Sequence, residues 1–413
     1  MNLLPKLRAG LEAFPVKVKD EDLIAIRDRE GYLSQIVLLP PAVFLVATLL
    51  NGKTTVPEIQ STCVQALKGL ILKPEEIGEI VRRLDESYLL ETERFHARRR
   101  TVTDEFSRLI TRPAAHAGMI YEKDPEKLKA QLTGYFADPR GAGIPPEPRT
   151  GSVPRGLVSP HIDFARGAWC YTWAYKMLMM SGGADLYVVL GVSHSPAPTP
   201  FVLTSKSFET PLGLVPVARD WIDRLRQTSP DSFDYEIAHR MEHSIELQLV
   251  FLQYLHGSTR PFEIVPVLCA SFEECCPSGS SPASHAVVEK TIHALRELLS
   301  REKRRVCVVI GADLSHRGPA FGDEEPADAD LYRRTEQDDL ESLHRIEEGN
   351  AERFYASVMK DGNQRNVCGL SAIYTGLRLM ESPSGAPRGQ LLRYSQADDG
   401  AGGFVSFAGM VFP

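Results

Sequence analysis

Three apolar runs in this chain finish on histidine. LVSPH ends at His161, DLYVVLGVSH ends at His194, and RRVCVVIGADLSH passes through Asp313 to His316. Short apolar runs rich in Val, Ile and Leu and bounded by Gly, Ser or Pro read as buried strands. Burial alone gives a strand no reason to end on imidazole. In an open α/β sheet, however, ligands bind in the crevice beyond the carboxyl ends of the strands. Adjacent parallel strands ending this way bring their imidazoles together. There they can hold a divalent ion or move protons near neutral pH. One such histidine is ordinarily a satisfied core residue; three in one pattern point to a functional site.

The rest of the chain fits that sheet. From residue 156 the runs LVSP, DLYVVLGV, FEIVPVL, RVCVVIG and GGFVSFAGMVF alternate with the helical patterns GAWCYTWAYKMLMM, SIELQLVFLQYL, AVVEKTIHALRELLS and AIYTGLRLM. Such alternation predicts an α/β sandwich around a mainly parallel sheet. The 413 residues allow two or three domains. Residues 1–95 read as a small α+β module with short β-prone runs and three helices. One helix stops at Gly52, one starts at Thr54-Thr55-Val56-Pro57-Glu58, and one opens at Pro74. FHARRRTVTDEFSR makes 96–111 a charged, helical connector, and 112–413 form the main domain. The Pro- and Gly-rich stretch 138–156 reads as a loop.

Composition narrows the function classes. A formal net charge of −7 argues against nucleic acid as a partner. No apolar run is long enough to span a bilayer, and the N-terminus lacks the apolar core and cleavage site of a signal peptide. The seven cysteines are scattered, with no zinc-ribbon spacing, which suits a reducing cytoplasm. Cys275-Cys276 sits among turn residues and reads as an exposed loop.

Two further segments look chemical. AHRMEHSIELQLVF opens a helix with Glu242, His243 and Glu246; His243 and Glu246, three apart, share a face. This is not the HExxH pattern of zinc proteases. NVCGLSAIY places Cys368 just before Gly369 and a new helix, where the helix N-terminus favours thiolate. His116-Ala-Gly imitates a site motif but follows no strand, and reads as a decoy.

Taken together, SPHIDF, LGVSHSP, TPLG at 210–213, EHSIELQL, DLSHRG and NVCGLSAI resemble the Memo family, whose bacterial members are called AmmeMemoRadiSam system protein B. RPAAHAGMIYEKDPEKLKAQLTGYF, from 112, resembles that family's opening segment, so the likeness spans 112–413. It implies a fold similar to class III extradiol dioxygenases, which use non-haem iron. It places His161, His194 and Cys368 on metal-ligand positions. His316 falls on the acid/base position with Asp313 beside it, and His243 joins them near the pocket. Where many members have His-Ala-Gly-Tyr, this chain has His161-Ile162-Asp163-Phe164, so Asp163 is expected to orient His161. A cysteine where the dioxygenases have a carboxylate softens the site, leaving Fe2+ first and copper second.

LPPAVFLVATLLNGKTTVPEIQ and LDESYLLE resemble PqqD-like winged-helix modules, which add a peptide to a sheet edge. That likeness implies a peptide or protein substrate. The family name implies radical SAM and AMMECR-like partners. Two function classes follow: a metal-dependent redox enzyme acting on a peptide or small aromatic substrate, or a non-catalytic metal- or peptide-binding partner that keeps the crevice. Acyl or phosphoryl transfer by Cys368 and His316 is a third, but no Gly-rich phosphate loop accompanies it.

Overall fold

In the computed structural model, the first β-prone runs form a hairpin. Strand β1 (Leu11–Val18) pairs antiparallel with β2 (Glu21–Asp28). Lys19 and Asp20 between them both have positive φ, at 48° and 64°. A two-residue turn whose twist matches the strands demands that conformation. Strand β3 (Val37–Leu39) extends the sheet. Helix α1 (Pro41–Leu49) packs on β2, and α2 (Val56–Ala66) and α3 (Pro74–Glu86) pack on α1 and on each other. Proline opens α1 and α3, and Glu58 Oε2 accepts from Thr55 N and Oγ1 at 2.7 Å to cap α2. Helix α4 (Glu93–Arg108) is the expected connector, but it packs within this unit. Phe95, Val102 and Phe106 form a buried stripe along it, and Phe95 meets the Tyr32 ring edge-on at 5.4 Å. The compact unit therefore runs Met1–Leu109, and the next begins at Ile110.

The structure describes residues 3–33, 35–66, 71–144, 152–257, 260–276, 280–382, 385 and 388–413. Part of the expected 138–156 loop, residues 145–151, lies outside them.

The second unit begins with β4 (Thr111–Arg112), α5 (Pro125–Ala137), β5 (Gly156–Ser159), α6 (Phe164–Met180) and β6 (Leu186–Val192). Then come β7 (Phe201–Leu203), β8 (Ser207–Thr210), β9 (Gly213–Val215), α7 (Arg219–Thr228), α8 (His243–His256) and β10 (Glu263–Cys269). Helices α9 (Phe272–Cys275) and α10 (Ala286–Arg301) lead to β11 (Val306–Gly311) and β12 (His316–Arg317). The chain closes with α11 (Ala329–Glu347), α12 (Ala351–Met359), α13 (Leu370–Met380), β13 (Gln390–Asp398) and β14 (Phe404–Phe412).

The large sheet has the order β12-β14-β5-β11-β6-β10-β7, with β13 on β14. Its centre, β5-β11-β6-β10, is parallel, as the alternation predicts. Its flanks are antiparallel, because β13 and β14 are joined as a hairpin and β14 runs against β5. Helices α6 and α8 lie together on one face; α13 and α10 lie together on the other.

Two glycines decide how close the first layer comes. On β6 and β11, Leu190 and Ile310 pack toward Gly376 of α13, while Gly191 and Gly311 turn to α8. A Cβ on Gly191 would stand 2.5 Å from Ser244 Oγ, and one on Gly311 2.6 Å from Ser244 O. The first turn of α8 therefore rests directly on the backbone of the strand ends.

One expectation is corrected. Cys276 is buried, and Cys275 is half-buried at the end of α9, with the two Sγ atoms 3.7 Å apart. The segment turns inward because Phe272 is fully buried and its N–H donates to Ser371 Oγ of α13 at 3.0 Å. All seven cysteines are free thiols. Among the described residues no helix is long and apolar enough to cross a membrane.

Candidate metal centre

His161 follows β5 after Pro160 and is 2 % exposed. Its backbone N–H donates to Asp313 Oδ1 at 2.9 Å, and its Nδ1 lies 3.0 Å from Gly311 O. A carbonyl only accepts, so Nδ1 carries a proton, and in the neutral ring Nε2 has the lone pair. Nε2 lies 3.4 Å from Cys368 Sγ and 3.7 Å from Asp313 Oδ2. Burial opposes charge on this ring, yet Asp313 and Cys368 push its pKa up to about 10.

His194, just past β6, is held differently. Its backbone N–H donates to Glu242 Oε2 at 2.9 Å, and its Nδ1 is 3.1 Å from both Glu242 oxygens. Glu242 also caps α8, its Oε1 accepting from His243 N at 2.9 Å and Ser244 N at 3.0 Å. Burial acts to raise the Glu242 pKa, but His194, His243 and these amides hold it well below the carboxylate range. His194 is itself raised to about 9, because Glu242 outweighs the cost of burial.

The cap delivers His243, the first residue of α8, onto the same spot. Its ring stacks on His194 at 4.8 Å and meets His161 edge-on at 5.4 Å. One ring nitrogen each from His161, His194 and His243 lie within 4.8 Å of one another. Burial and the neighbouring imidazoles keep His243 well below the usual histidine range.

Cys368 closes the group from the other layer. It precedes α13, and Gly369 N donates to Asp313 O at 3.1 Å. A Cβ on Gly369 would stand 2.4 Å from that oxygen, so glycine is what lets this loop meet the β11 end. Burial raises the thiol pKa, but His161 and His194 more than offset it and lower it. Cys368 Sγ thus reaches His161, but the ligand atoms that all lie within 4.8 Å of one another are those of His161, His194 and His243, without the thiol.

Two carboxylates are placed other than the sequence suggested. Asp163 caps α6, accepting from Arg166 N at 3.2 Å and pairing with Arg166 Nε at 2.6 Å; Gly311 O is what orients His161. Asp313 turns to His161 and not to His316, whose Nδ1 faces Leu314 O at 3.1 Å. His316 packs edge-on against Phe321 at 5.0 Å. Burial, with His161 and His194 nearby, holds it neutral down to about pH 3.

Glu246 shares the His243 face in sequence but turns away. It is fully buried against Arg112 and Tyr121, and accepts from Ala115 N at 3.2 Å and His116 N at 3.0 Å. Arg112 in turn donates to Glu242 O at 2.7 Å and His239 O at 2.9 Å. This straps 112–121 to the start of α8 and brings His116, read as a decoy, edge-on to His243 at 5.8 Å.

Under the DLSH loop lies a network the sequence reading missed. Asp339 accepts from Ser315 Oγ and Arg365 Nη1 at 2.6 Å, from Ser406 Oγ at 2.5 Å and from Tyr394 OH at 2.9 Å. It fixes the loop that ends at His316. Its members come from five distant segments and share no spacing, so no sequence signal marks them.

Comparison with known proteins gives the family. Residues 112–411 match the Memo family model, described as Memo-like protein. A MEMO1 family protein of Aquifex aeolicus is 26% identical over 400 residues, covering 95% of this chain and 96% of its own length. That match therefore extends into the N-terminal unit. MEMO1 family proteins of Thermotoga neapolitana and Archaeoglobus fulgidus are each 28% identical, over 297 and 300 residues, covering 71% and 72% of this chain and 95% and 97% of theirs.

Proposed function

Since this chain belongs to the Memo family, we propose that it is a metal-dependent redox protein built on a dioxygenase-like fold, with non-haem iron as its ion and copper as the alternative. The observation that carries the reading is the convergence of three imidazoles within 4.8 Å, two of them with Nδ1 engaged by an acceptor. Ligating histidines commonly engage their second nitrogen in this way. His161, His194 and Cys368 are the ligands, with His243 beside them. A redox-active ion there would supply one-electron chemistry and Lewis acidity. The protein's part is to fix the imidazoles, to exclude water with the α8 and α13 layers, and to keep His316 neutral. The acid/base role of His316 rests on its place in the family pattern; with a pKa of about 3 the imidazole is a weak base without the ion.

The N-terminal unit, from its likeness to PqqD-like modules, is assigned a peptide or protein substrate. Radical SAM and AMMECR-like proteins are the proposed partners, in the cytoplasm and without nucleic acid or membrane. A non-catalytic metal-handling role is the second reading. It is favoured by the presence of four donors, three imidazoles and a thiol, since a closed four-coordinate site suits holding an ion better than transforming a substrate.

Metal content of two variants separates these. Cys368→Ala should lose metal. His316→Ala should keep it and reduce oxygen-consuming turnover by roughly 10²- to 10⁴-fold. If His316→Ala empties the site as fully as Cys368→Ala does, the acid/base role is wrong and metal handling moves ahead.

A further inference from the structure

Among the polar groups around the centre, one does more than its neighbours. The two oxygens of Glu242 serve the backbone N–H of His194, the N–H groups of His243 and Ser244, and the Nδ1 of His194. His243 Nδ1 also lies 3.3 Å from Oε1. The side chain is nearly buried, at 4 % exposure, so water cannot take over these roles. His161, by contrast, is oriented by a backbone carbonyl that no side-chain change can remove.

We propose that Glu242 is the positioning residue of the centre, holding His194 with Nδ1–H toward the carboxylate and Nε2 toward the ion while it seats the helix that carries His243. The inference rests on reading the cluster as a metal site. Its logic is one of donors and acceptors. The backbone partners of Glu242 are all donors, and an ionised carboxylate only accepts, so it selects Nδ1–H on His194. A glutamine has one acceptor end and one donor end. With its NH₂ at the Oε1 position it faces the amides of His243 and Ser244. With its NH₂ at the Oε2 position it faces the His194 backbone N–H. In either orientation the NH₂ stands 3.1 Å from His194 Nδ1, where it offers a proton and favours the opposite tautomer. Nε2 then carries hydrogen and cannot ligate.

Glu242→Gln and Glu242→Asp separate this from simple helix capping. Imidazole ¹⁵N spectra of metal-free protein, followed upward in pH until His194 is neutral, report its tautomer directly. Wild type should be protonated at Nδ1, and Glu242→Gln should shift toward Nε2–H. A shift is expected only if the carboxylate sets the ring, because loss of a cap leaves tautomers alone. Zn(II), used as a diamagnetic probe, should bind Glu242→Gln about 10- to 100-fold more weakly, the usual worth of such a partner. Glu242→Asp keeps the charge and the cap, and should retain the wild-type tautomer with a smaller loss. An Nε2–H tautomer in wild type overturns the proposal even if Glu242→Gln does not fold, as does an unchanged tautomer in Glu242→Gln. If wild type shows Nδ1–H and the variant shifts, but neither binds metal, Glu242 still positions His194 and only the metal reading fails.

Discussion

Adding one methyl group at Gly311 tests whether the centre depends on how closely α8 approaches the sheet. In Gly311→Ala the new Cβ would stand 2.6 Å from Ser244 O and 2.9 Å from Gln248 Nε2. Ordinary contact begins at 3.4 Å, so roughly 0.8 Å has to be found against a backbone atom of the first turn of α8. Overpacking of this kind costs about 1–3 kcal/mol. The movement cannot be confined to Ser244, because His243 and the Glu242 cap lie on the same turn. A displacement approaching ~1 Å at a site is enough to spoil its geometry. Gly311→Ala should therefore lose thermal stability and bind Zn(II) at least tenfold more weakly. Gly134→Ala is the control. Gly134 lies in α5 with nothing within 4 Å of an added Cβ. There alanine should be neutral or stabilising by about 0.5–1 kcal/mol through helix propensity. Melting curves and metal titrations of both variants give the answer. If Gly311→Ala matches wild type in stability and affinity, the close approach does not position the centre.

Three other outcomes follow from the same structure. Glu246→Gln leaves the buried Arg112 charge without its counter-charge, so it should destabilise the protein by about 3–5 kcal/mol and speed amide exchange in 113–121; unchanged melting would refute the strap. His239 is buried with Nε2 3.0 Å from Val202 O, and burial depresses its pKa from 6.5 to about 4. Between those values the unfolded chain binds the extra proton, so this group's contribution is present above pH 6.5 and is lost as pH falls toward 4, by roughly 3 kcal/mol. His239→Gln, which keeps a donor for Val202 O, should make the acid limb of a stability–pH curve shallower, and an unaltered limb would contradict this. A fragment beginning at Ile110 should fold with all the candidate ligands, because each unit has its own hydrophobic core; an insoluble product would show that the cores depend on each other.

What could be read from the sequence was what periodicity and strand-end chemistry encode. The four parallel strands, helices α6, α8, α10 and α13, and the nearness of His161 to His194 were all visible as motifs, whereas His243 in place of Cys368 completes the closest group. The edges were not. β7, β8, β9 and β13 are short or half-exposed, and β7 and β8 pair with β10 and β4, which are distant in sequence. Helix α4 read as a linker because its charge hides a stripe of three apolar residues. The roles of the carboxylates were the least legible. Asp163, Asp313, Glu242 and Glu246 all neighbour site histidines or lie on their faces, and only the fold shows which of them touches imidazole. Asp163 went to a helix cap and Glu246 to Arg112, whereas Asp313 and Glu242 went to His161 and His194.

The central claim is that this cluster holds one metal ion. The most direct measurement is a crystal structure of anaerobically purified protein, with metal content determined on the same sample and anomalous diffraction collected at the iron and copper edges. The account predicts about one ion per chain, with an anomalous peak about 2.0–2.3 Å from ring nitrogens of His161 and His194 and from Cys368 Sγ or a His243 nitrogen. Protein that contains no metal as purified, and takes up no stoichiometric Fe(II), Cu or Zn when each is supplied, would contradict it.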